Sequence, residues 1–211
     1  INYEVGARWR SAFGRIEAIA YLNNYSNLTA ICTISAGCLP DELDTQTNAG
    51  EVRTQGLEFG WNHQVALGNT GLAMPMSLTY TYTEAEFQES FSSTNPQFGV
   101  VEEGFDLPYI PPHRANFLVG VSGENWGANL AVTYVDRMRD QAGIGDFSES
   151  EGSDAYTVVD LAAHYEVNTR WTISGRVDNI LDDVYVVSRR PFGARPGKPL
   201  SAQFMVNYRF D

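Results

Sequence analysis

The sequence predicts an all-β chain, about nine antiparallel strands from the wall of a transmembrane β-barrel. Three observations predict it. Apolar and polar residues alternate with a period of two along most of the chain. The connections between alternating segments switch regularly between short and long. All four tryptophans fall at the short-turn ends of their segments.

The alternation locates the strands near residues 1–10, 14–25, 50–66, 72–88, 113–123, 126–137, 155–166, 169–179 and 200–210. In the first, Ile1, Tyr3, Val5, Ala7 and Trp9 oppose Asn2, Glu4, Arg8 and Arg10. In the fourth, Met76, Leu78, Tyr80 and Tyr82 share one face, and Ser77, Thr79, Thr81 and Thr83 the other. In the eighth, Trp171, Ile173 and Val177 alternate with Thr172, Ser174, Arg176 and Asp178. In the last, Ala202, Phe204, Val206, Tyr208 and Phe210 alternate with Ser201, Gln203, Met205, Asn207 and Arg209. No segment carries a 3.6-residue period. Short turns fall near 11–13, 66–71, 123–125 and 167–168, and long polar loops near 26–49, 89–112, 138–154 and 180–199. Tight turns at one end and long loops at the other are the pattern of an outer-membrane barrel. Trp9, Trp61, Trp126 and Trp171, with Tyr165, Tyr208 and Phe210, supply an aromatic girdle at the short-turn end. Tyr21, Tyr25, Tyr82, Tyr134 and Tyr156 are expected near the other interface. A soluble sandwich gives no reason for a common tryptophan end.

Composition agrees. Aromatic residues make up 12% of the chain, and of its 14 cations only Lys198 is a lysine. No apolar run approaches the ~18 residues of a membrane helix. The net charge of −12 disfavours a nucleic-acid partner, which needs a clustered basic face. Nine is an odd count, and an open sheet would leave two edges that lipid cannot satisfy. Ile1 opens directly in a strand pattern, without a basic start and apolar stretch. The expectation is that residues 1–211 are one unit, the C-terminal part of a larger barrel.

Several segments resemble a known family in order. "INYEVGARWR", "GEVRTQGLEFGWNHQ", "LPYIPPHRANFLVG", "YTVVDLAAHYEVN", "VDNILDDVYVV" and "RPGKPLSAQFMVNYRF" are similar to successive barrel strands of TonB-dependent outer-membrane receptors. The N-I-L-D-D-x-Y segment and the R-P-G-x-P turn are the most specific. "NNYSNLTAICTISAGC", "DRMRDQAGIG" and "SRRPFGARPGKP" most resemble the ferric dicitrate receptors. The resemblance implies a 22-stranded barrel with a plugged lumen, of which these are the last nine strands. It implies location in the outer membrane of a Gram-negative bacterium and contact there with lipid and lipopolysaccharide. It also implies energy-coupled import of a ferric chelate, with the TonB energy transducer reached through a region outside this chain. Iron would travel as chelated cargo, with no cofactor of the protein's own. The family usually ends on an aromatic residue; here Phe210 is followed by Asp211.

No catalytic constellation stands out. His63, His113 and His164 lie on separate strands, no nucleophile–base motif is present, and no metal-ligand spacing recurs. Cys32 and Cys38 enclose "TISAG" in a long loop. The even count and an oxidising exterior favour a loop disulfide. The rival is a pair of soft metal ligands, but that loop holds no His or further Cys. The acids of "GDFSESEGSD" read as a solvated loop. Ferric citrate is anionic and rich in carboxylates, which guanidinium binds with forked hydrogen bonds. Arg137, Arg139, Arg189, Arg190 and Arg195 are therefore the candidate ligand-binding residues, against the plainer reading of exposed loop cations or lipopolysaccharide contacts. Arg195 and Lys198 belong to the R-P-G-x-P turn and have a structural alternative, so Arg189 and Arg190, before that turn and nearer the loop tip, are the favoured pair for an anionic chelate. Arg8, Arg53, Arg170, Arg176 and Arg209 are expected on strands, facing a polar lumen. The competing functions are a passive porin-like barrel, an outer-membrane phospholipase, and a receptor for another siderophore, metal chelate or sugar.

Overall fold

The computed structural model describes residues 1–190 and 193–210. Its nine long strands are β1 (Asn2–Ser11), β2 (Gly14–Tyr25), β3 (Val52–Ala66), β4 (Ala73–Phe87), β5 (His113–Ser122), β6 (Trp126–Val135), β7 (Tyr156–Glu166), β8 (Trp171–Asp178) and β9 (Ser201–Tyr208). Each strand pairs antiparallel with the next, so spatial order follows chain order in one sheet. The ends expected from alternation agree to within about two residues.

The register explains both faces. Trp9, Ile16, Trp61, Leu78, Phe117, Val132 and Val159 are successive cross-strand partners on one face. The other face carries the row Arg8, Glu17, Gly60, Thr79, Asn116 and Thr133. An apolar exterior over a polar interior is the requirement of a barrel wall in lipid. The apolar row starts near the turn end of β1 and finishes near the loop end of β7. The strands are therefore staggered, as barrel closure demands. That stagger brings Trp61, mid-strand in sequence, level with the first hairpin: its Nε1 donates to the Phe13 carbonyl at 2.8 Å. Trp171 and Tyr208 meet with ring centroids 4.7 Å apart at the same end.

Three expectations need correction. Tyr21, Tyr25 and Tyr156 lie on the inner face, opposite Gly56, Val52 and Val135, and so do not belong to the outer aromatic belt. Tyr21 lies across Gly56 to reach Thr83 Oγ1 at 2.9 Å. A β-carbon at Gly56 would stand 2.7 Å from the tyrosine oxygen, so glycine is what admits the ring. Arg53 shares the outer face with Leu57 and Trp61, and its Nε donates to Asn24 Oδ1 at 3.1 Å. This is the outer surface beyond the apolar band. Arg170 sits in the β7–β8 turn, where its amide donates to Asn168 Oδ1 at 2.9 Å, and Arg209 follows β9. Arg8 and Arg176 do face inward, as expected. The departure at Asp211 lies outside the described residues.

The long loops are not structureless. Each carries a short ribbon: Thr29–Ile31 with Gln46–Asn48, Phe91–Ser92 with Val100–Val101, Met138–Arg139 with Gly152–Ser153, and Val186–Ser188 with Arg195–Pro196. Runs of two or three residues are too short for a period to register. Val52, Phe87 and Val101 form a fully buried cluster at the loop end, packed by Phe91, Phe98 and Phe105. This small core anchors residues 88–112 to the top of the sheet.

The last loop is fastened by the two specific motifs. Asn179, fully buried at φ 51°, donates to the carbonyls of Asp183 (2.9 Å) and Lys198 (3.0 Å). Its side-chain Oδ1 accepts from the Asp183 amide at 3.2 Å. Asp178 accepts from Arg176 and from Lys198. The "NILDD" and "RPGKP" segments thus clasp each other at the base of the loop. Asn179→Ala is expected to lower the unfolding free energy of the full-length protein by about 2–3 kcal/mol, through lost buried bonds and a positive φ. Asn179→Gly should recover about 1 kcal/mol of that, because glycine accepts this φ. Urea titration read by heat-modifiable gel migration measures both; equal losses would refute the backbone part of this account.

Candidate functional site

The candidate site is the cluster of long loops at one end of the sheet. Residues 26–51, 88–112, 136–155 and 179–200 meet there, and the candidate cations lie in the last two of them. They form two pairs and one separate residue.

Arg137 and Arg139 share the ring of Phe147, with guanidinium carbons 4.1 and 4.9 Å from its centroid. Arg137 donates to the Phe147 carbonyl at 2.6 Å and lies 3.8 Å from Asp146. Arg139 donates to the Gly145 carbonyl at 2.7 Å and lies 3.4 Å from the Asp106 carboxylate. Asp106 stands opposite Glu86, on the outward-facing row of β4. A cleft of about 230 Å³ runs between these groups, lined by Tyr82, Glu84, Ile110 and Phe147.

Arg189 and Arg190 point into other loops. Arg189 Nε donates to the Gly152 carbonyl at 2.5 Å. Arg190 reaches Asp140 and the carbonyl of Ala36, far away in sequence. Arg195 lies on the short ribbon opposite Ser188, exposed, with no side-chain partner among the described residues. Four of the five candidates therefore brace loops, and Arg195 engages no side chain among the described residues. The sequence showed the charges; it offered no sign of their acceptors, main-chain carbonyls of the same loop for Arg137 and Arg139 and of other loops for Arg189 and Arg190.

Cys32 and Cys38 form a disulfide with Cα atoms 5.8 Å apart. It closes a single turn, Ile34–Ala36, capped by Thr33 Oγ1 accepting from the Ala36 amide at 3.2 Å. Cys32, Ala36 and Cys38 are buried against Leu43. The histidines stay apart. His113 Nδ1 is 2.8 Å from the Tyr80 hydroxyl, His63 stacks near Trp61, and His164 lies on the inner face opposite Gly127.

Two loop carboxylates are displaced in opposite directions. Burial raises the Asp106 carboxyl above its ordinary value, and the Arg139 guanidinium offsets this only in part. Glu151 is held below the ordinary range by the amide and hydroxyl of Ser148, at 2.9 and 2.8 Å.

The family model for "TonB dependent receptor-like, beta-barrel" matches residues 1–180. The chain belongs to this family. It is accordingly part of a barrel of the Gram-negative outer membrane, and its long loops face outward. The chain is 28% identical over 220 residues to the Metal-pseudopaline receptor CntO of Pseudomonas aeruginosa, covering 98% of this chain and 27% of the receptor. It is 24% identical to the Vitamin B12 transporter BtuB of Vibrio vulnificus, covering 98% of this chain and 29% of the transporter. The fold matches the ferric-catecholate import receptor Fiu of E. coli K12 with TM-score 0.69 and 18% identity, over 99% of this chain and 27% of Fiu. It matches the ferric yersiniabactin uptake receptor FyuA of Yersinia pestis with TM-score 0.70 and 19% identity, over 100% and 30%. This TonB-dependent receptor chain thus spans between a quarter and a third of the length of these proteins. The matched residues include the V-x-x-x-G-x-E strand and the L-P-x-x-P-x-H entry, and they stop before the R-P-G-x-P turn.

The disulfide constrains a small loop, for which chain entropy gives about 2 kcal/mol. Replacing Cys32 and Cys38 by serine should make residues 26–51 of the full-length receptor several-fold more sensitive to subtilisin, with barrel migration unchanged; equal sensitivity would refute this. Asp106 gives a pH test. Its folded-state pKa is raised, so the folded state holds its proton more tightly than the unfolded one. Stability of the wild type relative to Asp106→Asn should therefore fall as pH rises from the ordinary aspartate value through the Asp106 range. Urea midpoints across that window check the sign.

Proposed function

We propose that this chain is the C-terminal barrel portion of a receptor that imports an anionic metal chelate, with iron(III) dicitrate as the cargo. Import is active: energy from the inner membrane arrives through TonB, which contacts a region outside this chain, and a plug domain outside this chain fills the lumen. The observation that carries the reading is the set of guanidinium groups among the outward loops of a chain whose net charge is −12. Arginine suits a carboxylate-coated ligand because its fork matches the carboxylate pair and stays charged at every physiological pH. Arg195 is exposed and free of side-chain partners among the described residues, so it meets a ligand first. Arg137, 44% exposed above Phe147, is the second point of contact.

A chelate of another metal is the second reading, supported by the 28% identity to a receptor named for metal-pseudopaline.

Purified full-length receptor should bind ferric dicitrate saturably in a fluorescence titration. Arg195→Gln should weaken binding about tenfold, the loss of one charge-assisted hydrogen bond. Cells with this receptor as their only route for citrate-bound iron should lose uptake when TonB is deleted. A folded wild-type receptor that does not bind ferric dicitrate overturns the cargo. Uptake that persists without TonB overturns active import in favour of a passive barrel.

A further inference from the structure

Arg190 differs from its neighbours in how it is held. Arg137, Arg139 and Arg189 each donate to a main-chain carbonyl at 2.6, 2.7 and 2.5 Å. Arg190 has no contact that short among the described residues. Its Nε lies 3.3 Å from the Asp140 carbonyl and 3.7 Å from the Asp140 carboxylate. Its Nη1 lies 3.4 Å from the Ala36 carbonyl. Charge-assisted bonds normally close to about 2.7–2.9 Å. Yet the pair is well covered: the Arg190 side chain is 13% exposed and that of Asp140 10%. Arg190 is the only side-chain partner of the Asp140 carboxylate among the described residues. A covered ion pair with loose geometry regains little of the cost of leaving water.

The contacts join separate loops. Asp140 belongs to residues 136–155, where its amide donates to the Glu151 carbonyl at 2.8 Å. Ala36 belongs to the disulfide turn. The turn faces two further segments: a β-carbon added at Gly37 would stand 3.2 Å from Arg190 Nη1 and 3.8 Å from Pro96 Cβ of residues 88–112. The disulfide and Thr33 fix the direction of the Ala36 carbonyl, so the turn can leave Arg190 as a body.

We propose that Arg190 is an exchangeable latch. It holds the disulfide turn against residues 136–155 through weak acceptors. A carboxylate of the anionic chelate replaces Asp140 and takes the guanidinium in a two-pronged pair, and the turn is released. The exchange substitutes one forked pair for three long contacts, and Asp140 regains water as the loops part. The chelate thereby favours the open arrangement by its differential affinity for it. The opening step rests on the anionic-chelate reading; the latch itself does not.

Hydrogen exchange of the full-length receptor in detergent tests both parts. In the ligand-free receptor, Arg190→Ala should raise exchange across residues 33–38 several-fold and leave residues 57–65 of β3 unchanged. Arg190→Lys keeps the charge without the fork, so it should retain part of the protection and show no response to ligand. Ferric citrate should raise exchange at 33–38 in the wild type and add nothing in Arg190→Ala; chloride at equal ionic strength should do neither. Equal protection in wild type and Arg190→Ala overturns the latch. A ferric citrate response of equal size in both overturns the exchange. So does an unresponsive wild type that binds ferric citrate by fluorescence. If the wild type does not bind ferric citrate, the cargo assignment fails, and the ligand-free comparison still decides the latch.

Discussion

A backbone amide in hydrocarbon has no water to turn to, so it must find its partner in the chain. That constraint organises this protein. Nine strands satisfy it by pairing in chain order, and every hairpin is antiparallel. Once pairing is fixed, the pleat sends alternate side chains to lipid and to the lumen. The tryptophans at the short-turn end and the Thr, Asn and Arg residues of the inner row follow from the same register. The stagger follows as well, because a closed barrel tilts its strands.

At the outward end the constraint lapses, and a different economy takes over. Loops exposed to water lose conformational entropy when they order, and short ribbons alone offset little of it. Here they are held by three local devices. Val52, Phe87 and Val101 supply a dry cluster. The Cys32–Cys38 disulfide closes one turn. The Asn179 clasp fixes both feet of the last loop. Arginines then tie one loop to another through carbonyl oxygens.

The loop arginines therefore divide by what they touch rather than by where they stand in sequence. Arg189 and Arg190, nearest the centre of the basic segment, are turned towards other loops. Arg195, in the turn motif, is exposed, while Lys198 of the same motif is spent on Asp178. In an acidic chain such a division leaves four arginines ordering the loops and one exposed at their surface.

Much of the wall was legible in the residues, because a period of two is local: Met76, Leu78, Tyr80 and Tyr82 declare their face without reference to any other strand. The N-I-L-D-D and R-P-G-K-P segments were visible as motifs too. Their union was not, because Asn179 and Lys198 lie far enough apart in sequence that only the folded loop brings them together. The faces of Tyr21 and Arg53 were misjudged for a related reason: position near a loop says nothing of parity until the register is known. The sequence by itself determined strand number, the sidedness of turns and loops, and the family, all of which rest on neighbouring residues. Only the tertiary structure decided which cations brace loops, because that depends on how each loop folds back on itself, for Arg137 and Arg139, and on carbonyl acceptors from other loops, for Arg189 and Arg190.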